Sequence, residues 1–132
     1  MPKCLIANMS KIDHFKDLEC WKESRKLVWL TYQVLDENSF LKRDFVLNDQ
    51  FRRASISTMN NIAEGFGRFS KKEFIRFLDI SKSSALECES MTYIFEDLQI
   101  LNETELQKLR NQIEVTKAKT SGLIKYLVNR VK

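Results

Sequence analysis

Apolar positions in the last third of the chain recur with the spacing of a helix. They step by three and four residues, as in a heptad stripe, and show no two-residue alternation typical of a strand. Asn102 and Glu105, just before the stripe, have the spacing of a capping box. The pattern predicts a helix that begins at this box, with a buried stripe of Leu106, Leu109, Ile113, Thr116, Thr120, Leu123, Leu127 and Val131 or Arg130.

A second helical pattern begins at Ser70, whose spacing to Glu73 fits another capping box. Apolar residues then recur from Phe74 to Leu101, about thirty residues, which would form a rod of ~45 Å. Helices of this length favour a helical bundle over a compact orthogonal arrangement of short helices.

The first part of the chain shows the same three-and-four spacing. Its predicted buried stripe is Leu18, Trp21, Arg25, Val28, Tyr32 and Leu35. Four further apolar residues fall off this stripe: Leu27, Trp29, Leu30 and Val34. Because one bundle core does not obviously absorb them, they indicate a surface for self-association.

A fourth helical segment, second in chain order, is rich in small and polar residues. We expect Asn48 to be its N-cap and Gly67, after Gly65 and Phe66, to be a left-handed C-cap. Small side chains let a neighbouring helix approach closely, and polar ones must find partners there. We therefore predict structural roles for Asn61 and Glu64.

The connections between these segments are short, near Phe40–Leu47, Gly67–Ser70 and Leu101–Asn102. Short loops between long helices make successive helices antiparallel. The sequence thus predicts an all-α fold, an up-down-up-down antiparallel four-helix bundle. We assign residues 16–132 to this single domain and residues 1–15 to a flexible or loosely docked leader.

The amino-acid composition limits the folds and chemical functions expected of the chain. It has 132 residues with three glycines and one proline, fewer than a protein built from strands and turns usually contains. No apolar run reaches the ~20 residues of a membrane span, and no signal-peptide core is present, so we expect a cytoplasmic protein without membrane association. Three widely spaced cysteines and a single histidine, His14, leave zinc sites and catalytic triads without their usual groups. We expect no catalytic residues, metal, cofactor or small-molecule substrate.

Charge is unevenly distributed along the chain. The formal net charge is +4, and residues 42–82 alone hold nine basic against five acidic side chains. A concentrated positive field favours phosphate backbones through counterion release, whereas a solvated face with a modest bias is the alternative interpretation. The candidate phosphate contacts are Arg52, Arg53, Arg68, Lys71, Lys72, Arg76 and Lys82.

Arg53 and Glu64 lie eleven residues apart, ~16 Å along a helix axis. They are too distant to pair with each other, so we expect their partners on other helices, other subunits or a ligand. Glu64 and Arg68 have the favourable i, i+4 order for a helix-supporting pair. Direct ligand contact is the stronger expectation for Arg52 and Arg68 than for Glu64.

Four motifs together resemble the 23S rRNA intervening-sequence protein family, over about residues 17–128. They are Asp17-Leu18-x-x-Trp21, the segment Gln50–Ser57, Asn61-Ile62-Ala63-Glu64-Gly65-Phe66-Gly67-Arg68, and Lys72-Glu73-Phe74-Ile75-Arg76-Phe77-Leu78. The resemblance implies a left-handed up-and-down bundle, often a ring-like homopentamer. It also implies kinship with the accessory variability protein of diversity-generating retroelements, whose pentamer binds nucleic acid through a basic surface. The family pattern contains no catalytic residues.

Two hypotheses follow. The leading one is a non-enzymatic, oligomeric protein that binds RNA or another polyanion through a basic surface of the second and third predicted helices. Few aromatic residues lie among these cations apart from Phe66 and Phe69, so we expect backbone and shape recognition more than base stacking. The alternative is a protein–protein scaffold or accessory subunit whose basic stretch pairs with acids of a neighbouring subunit. The leading hypothesis requires cations that the protein's own carboxylates do not neutralise.

Overall fold

Four long helices and one short helix make up residues 12–131, the part of the chain that the computed structural model describes. A single 3-10 turn, Phe15–Asp17, precedes them. The helices are α1 (Glu19–Glu37), α2 (Ser39–Arg43), α3 (Phe45–Phe66), α4 (Lys71–Asp97) and α5 (Glu103–Val131). No strand occurs within these residues, so the all-α prediction is confirmed.

The predicted starts of the two longest helices are confirmed by their caps. Ser70 Oγ accepts a hydrogen bond from the Glu73 amide at 3.3 Å at the start of α4. At the start of α5, Asn102 Oδ1 accepts from the Glu105 amide at 2.8 Å, and Glu105 Oε1 accepts from the Asn102 amide at 2.9 Å. This reciprocal pair satisfies two amides that have no partner within the helix.

Helix α4 ends at Asp97, four residues before the predicted end at Leu101. The chain reverses at Gln99, whose φ of 55° lies in the left-handed region. The Ile100 amide then donates to the Phe95 carbonyl at 2.9 Å, which closes the turn. The apolar stripe continued past this point because Ile100 and Leu101 pack against the core from the loop.

The predicted start of α3 is wrong. Asp44 is the N-cap, and its Oδ1 accepts from the Leu47 amide at 3.0 Å. Asn48 lies inside the helix, where its side-chain amide donates to the Leu41 carbonyl at 3.1 Å. The predicted loop Phe40–Leu47 is mostly helical, because α2 fills its first part. A carboxylate at Asp44 suits the positive end of α3 and starts it one turn early.

The left-handed cap predicted at Gly67 is also wrong. Gly67 has φ −76° and ψ −4°, which any residue adopts, and its amide donates to the carbonyls of Ala63 and Glu64 at 3.3 and 3.2 Å. The Arg68 amide continues the turn by donating to the Gly65 carbonyl at 3.1 Å. The chain becomes extended only at Ser70, with φ −100° and ψ 131°.

Helix α1 and its N-cap bury only part of the predicted stripe: Leu18 and Leu35 are buried, and Trp21 and Val28 are half-buried. Arg25 and Tyr32 are exposed, whereas the buried residues are Cys20, Ser24, Leu27, Leu30, Thr31, Val34 and Leu35. Because α1 packs against both α3 and α5, it needs a wide apolar face, which Leu27, Leu30 and Val34 supply. Of the four residues assigned to self-association, Trp29 alone is exposed, at 63%.

The core consists of two clusters. One surrounds Phe51 and Phe95, whose rings meet edge to face at 5.1 Å; the other surrounds Ile62, Leu78 and Leu123. The predicted α5 stripe is confirmed from Leu106 to Leu127, since all seven of its members there are buried. Arg130 is exposed, and the side chain of Val131 lies outside the described residues.

Contacts between α3 and α4, and between α4 and α5, pair residues in opposite order along the two helices. On α3 and α4, Ser57 meets Ser84 while Gly65 meets Phe77. On α4 and α5, Lys117 pairs with Glu89 and Arg110 with Glu96. The turn joining α3 to α4 therefore lies at one end of both helices, where it can present side chains as a group.

Residues 1–11 of the predicted leader lie outside the described residues. Of the remainder, Ile12 and Phe15 are half-buried against the second core cluster, and the Phe15 ring lies 5.2 Å from that of Trp21. Within the described residues, no helix combines the length and apolarity needed to cross a membrane.

Candidate nucleic-acid interface

Four of the seven candidate cations lie together where α3 passes into α4. Arg68, Lys71, Lys72 and Arg76 are all exposed there. We call this region the tip and define it as residues 64–77. Its other charged members are two carboxylates, Glu64 and Glu73, so cations outnumber acids four to two.

The tip has a tightly packed base. A Cβ placed on Gly65 would lie 2.6 Å from Phe77 Cβ and 3.0 Å from the Phe74 ring, so α3 and α4 approach closely at this glycine. The Phe66 ring meets the Phe74 ring edge to face at 6.0 Å. The motif residues from Asn61 to Leu78 thus build a close helix–helix contact, and the turn above it has a fixed support.

Phe77 holds two of the arginines. The Arg68 and Arg76 guanidinium carbons lie 4.9 and 4.6 Å from the centre of its ring. A cation at this distance over an aromatic face is attracted by the ring quadrupole. This arrangement is not predicted from the sequence, although Arg76 and Phe77 are adjacent in the chain and Arg68 ends the motif before them.

Each tip arginine also has a carboxylate partner one turn away. Arg68 Nη2 donates to Glu64 Oε1 at 3.3 Å, and Arg76 donates through Nε and Nη2 to Glu73 at 3.1 and 3.2 Å. The hydrogen bonds from Arg76 lower the pKa of Glu73 and raise that of Arg76, so this pair stays charged at neutral pH. The predicted arginine contacts are therefore partly neutralised within the protein.

The two tip lysines differ from the arginines. Within residues 12–131, neither Lys71 nor Lys72 forms an ion pair. The arginine pairs are exposed and span three or four residues, a class that contributes only a few tenths of a kcal/mol. An incoming phosphate can therefore compete with Glu64 for Arg68 at small cost, in addition to binding the lysines.

Arg52 and Arg53 lie apart from the tip. They sit in the middle of α3, and Arg53 is about 18 Å from Gly65 along the axis at 1.5 Å per residue. Both bind Asp49, with Arg52 Nη2 at 2.8 Å and Arg53 Nε at 2.9 Å, and these hydrogen bonds, first that of Arg52, lower the pKa of Asp49. The expectation that Arg53 finds its partner outside its own helix is wrong, because Asp49 lies one turn before it.

Lys82 is half-buried on α4, about 15 Å along the helix from Lys72. The seven cations consequently form no single patch. The structure gathers four at the tip, leaves Lys82 further along α4 and places the two central arginines around one acid.

Asn61 lies in a polar seam between α3 and α4. Its side-chain amide donates to the Ser57 carbonyl and hydroxyl, each at 2.9 Å. The Ser57 hydroxyl lies 2.7 Å from that of Ser84, and Ser81 Oγ donates to the Thr58 carbonyl at 2.6 Å across the same interface. Glu64 is exposed and pairs with Arg68 at the tip.

The other reactive groups are buried or scattered. Burial raises the pKa of Cys20 and of Cys88 to about 12, so both thiols remain protonated at neutral pH. Among the described residues, no three histidine, cysteine or acidic side chains come together as metal ligands.

Comparison with known proteins assigns the chain to a family. No protein with curated annotation matches it. The family model described as 23S rRNA-intervening sequence protein matches residues 16–122, which include α1 to α4, the tip and most of α5. Since this match spans most of the sequence, the chain belongs to the 23S rRNA-intervening sequence protein family.

Proposed function

We propose that this protein is a non-enzymatic, cytoplasmic RNA-binding protein that holds the phosphate backbone with its tip. The observation that carries the proposal is the cation excess there, with Lys71 and Lys72 unpaired among the described residues. Arg68 and Arg76, stacked on Phe77, add donors on a supported surface. Arg52, Arg53 and Lys82 form secondary contacts further along the helices.

We further propose that the four long helices form the left-handed up-down-up-down bundle expected from the family resemblance, and that copies of it assemble, with a pentamer favoured. The antiparallel contacts between α3 and α4, and between α4 and α5, support the bundle. The exposed Trp29 supports assembly, because together with Leu30 and Val115 it lines a groove of about 400 Å³ between α1 and α5. Assembly multiplies the number of tips that one RNA can contact.

The test is a binding titration with a structured RNA at several salt concentrations, combined with subunit counting by light scattering. The variant K71E/K72E removes the two unpaired cations, and glutamate suits the first turn of α4 because of the helix dipole. We expect at least about tenfold weaker binding and a salt slope reduced by about one per lost phosphate contact.

The matched control is K42E/R43E. It changes net charge equally, and these two exposed cations lie on α2, at the end opposite the tip and outside the Trp29 groove. Equal weakening by both double variants would contradict the tip as the site. Absence of RNA binding at low salt, or binding that does not weaken between about 50 and 200 mM salt, would overturn the function.

A protein–protein scaffold is the second candidate, and the exposure of Trp29 in its groove favours it. In that case the tip cations serve assembly, so charge reversal at Arg68 and Arg76 would dissociate the oligomer. Loss of RNA binding with the subunit number intact supports the first candidate instead.

A further inference from the structure

Phe69 stands out at the apex of the tip. Its side chain is fully exposed, at 109% of the reference value, and no contact of its ring with another ring or with a cation occurs within residues 12–131. The nearby guanidinium of Arg68 lies over Phe77 instead. Both faces of the Phe69 ring are consequently open to a ligand.

The surroundings of Phe69 are cationic rather than apolar. Arg68 precedes it, and Lys71 and Lys72 follow within three residues. Neighbouring phenylalanines belong to the interior, since Phe74 and Phe77 are buried and Phe66 is half-buried. The exposed apolar surface here is therefore one ring within a positive field.

The size of this surface limits what it fits. A phenylalanine buries about 150–250 Å², whereas a stable protein interface buries about 800 Å² on each partner. A nucleic-acid base is flat and comparable in size to the ring, and the nucleotide that contains it is joined to a phosphate on each side. Lysine side chains two and three residues away match those phosphates in charge.

We propose that Phe69 is a stacking platform for an unpaired base, so that the tip selects RNA with a single-stranded loop or bulge over a continuous duplex. The inference rests on the proposed function, because Lys71 and Lys72 hold the phosphates of the stacked nucleotide. Bases within a duplex are already stacked on their neighbours and cannot reach the ring, whereas loop bases can. Base stacking is thus a larger part of recognition than the sequence suggested.

The experiment compares two RNAs with the same stem, one closed by a loop that contains 2-aminopurine and one a blunt duplex. The variants are Phe69→Ala, Phe69→Leu, which keeps apolar bulk without a π face, and Phe69→Trp, which keeps the face. We expect Phe69→Ala and Phe69→Leu to bind the loop RNA about tenfold more weakly. Binding of the blunt duplex should not change in any variant. Phe69→Trp should retain the preference for the loop RNA. Quenching of 2-aminopurine on binding should be lost in Phe69→Ala and Phe69→Leu, which have no aromatic ring.

The possible results distinguish base stacking by Phe69 from the proposed binding of phosphates by the tip. If wild type binds both RNAs with a salt slope and Phe69→Ala binds them equally well with unchanged quenching, stacking is wrong and phosphate binding stands. If wild type binds neither RNA at low salt, both proposals fall. A changed subunit number in Phe69→Ala, or binding of anionic phospholipid vesicles that this variant abolishes, would assign the ring to a subunit contact or a membrane and overturn the inference.

Discussion

At the scale of single residues, the family motif around Gly65 is explained by packing. Gly65 is buried on α3, and its missing side chain lets Phe74 and Phe77 of α4 lie against the helix backbone. The same contact holds Phe77 where Arg68 and Arg76 stack on it. One residue therefore links the helix–helix contact to the arrangement of charge at the tip.

Gly65→Ala should destabilise the protein although alanine is the better helix former. The added Cβ would lie 2.6 Å from Phe77 Cβ, which cannot retreat without moving the α4 backbone. Overpacking of this kind costs about 1–3 kcal/mol, more than the roughly 1 kcal/mol gained in helix propensity. Urea denaturation followed by circular dichroism measures the change.

Gly122→Ala is the matched control for this substitution. Gly122 also lies within a helix, α5, but a Cβ there would meet no atom within 4 Å apart from its chain neighbours and the nearby backbone of its own helix. We expect stabilisation by about 0.5–1 kcal/mol. A shift in the same direction for both variants would show that helix propensity alone governs them and that the contact at Gly65 is not tight.

At the scale of elements, a seam of small polar residues joins α3 to α4. The side-chain amide of Asn61 reaches Ser57, and the Ser57 hydroxyl reaches Ser84 on the other helix. Small hydroxyl groups keep the helices close, and each one finds a partner within the seam. The helices are thus joined by directional bonds as well as by apolar contacts, which restricts how one can slide along the other.

Asn61→Ala should lower the free energy of unfolding by about 1–3 kcal/mol, because it removes the two hydrogen bonds that the Asn61 side chain donates to the partly buried Ser57. In a double-mutant cycle with Ser84→Ala, we expect a coupling energy of at least about 0.5 kcal/mol through the shared hydroxyl of Ser57. Asn60→Ala, on the exposed side of the same helix, is the control and should change stability by less than about 0.5 kcal/mol. Equal stability of the two asparagine variants would contradict a structural role for Asn61.

At the scale of the whole molecule, each core cluster contains one buried cysteine. Cys88 lies in the cluster around Phe51 and Phe95, and Cys20 in the cluster around Ile62. The two thiols therefore report separately on the two levels of the core. Their raised pKa values also link stability to pH: the unfolded chain releases these protons near pH 8.5 and the folded protein only near pH 12. The stabilising contribution is present below pH 8.5 and is lost as pH rises above it.

In a Cys4→Ser variant, a disulfide reagent at pH 8 should label Cys20 and Cys88 slowly and at equal rates. Both are buried, with thiol pKa values raised to about 12, so labelling requires the protein to open. Mass spectrometry of peptides measures the two rates, and guanidinium-unfolded protein provides the unprotected reference. Fast labelling of one thiol while the other stays protected would show that the two clusters open independently.

Local patterns made several features predictable from sequence. The caps at Ser70 and Asn102 were predictable because an N-cap involves residues only three apart in the chain. The buried stripe of α5 was predictable because its spacing repeats through seven buried positions. The pair of Arg53 with Asp49 was also predictable from the sequence, since the acid lies four residues earlier on the same helix. The start of α3 was missed because Asp44 and Asn48 are both suitable caps, and local signals alone did not rank them.

By itself, the sequence determined an all-α chain, its long helices and the central position of its excess charge, because helix period, capping and composition depend on residues close in the chain. Only the tertiary structure decided which face of α1 is buried, because the sequence offers two apolar stripes of similar spacing. Packing against α3 and α5 determines which of them is covered. It also decided that Arg68 and Arg76 lie over Phe77 at the tip, while Arg52 and Arg53 pair with Asp49 further along α3. Finally, it decided that Phe69 points away from every packed surface of the described chain, since exposure depends on what the folded neighbours cover.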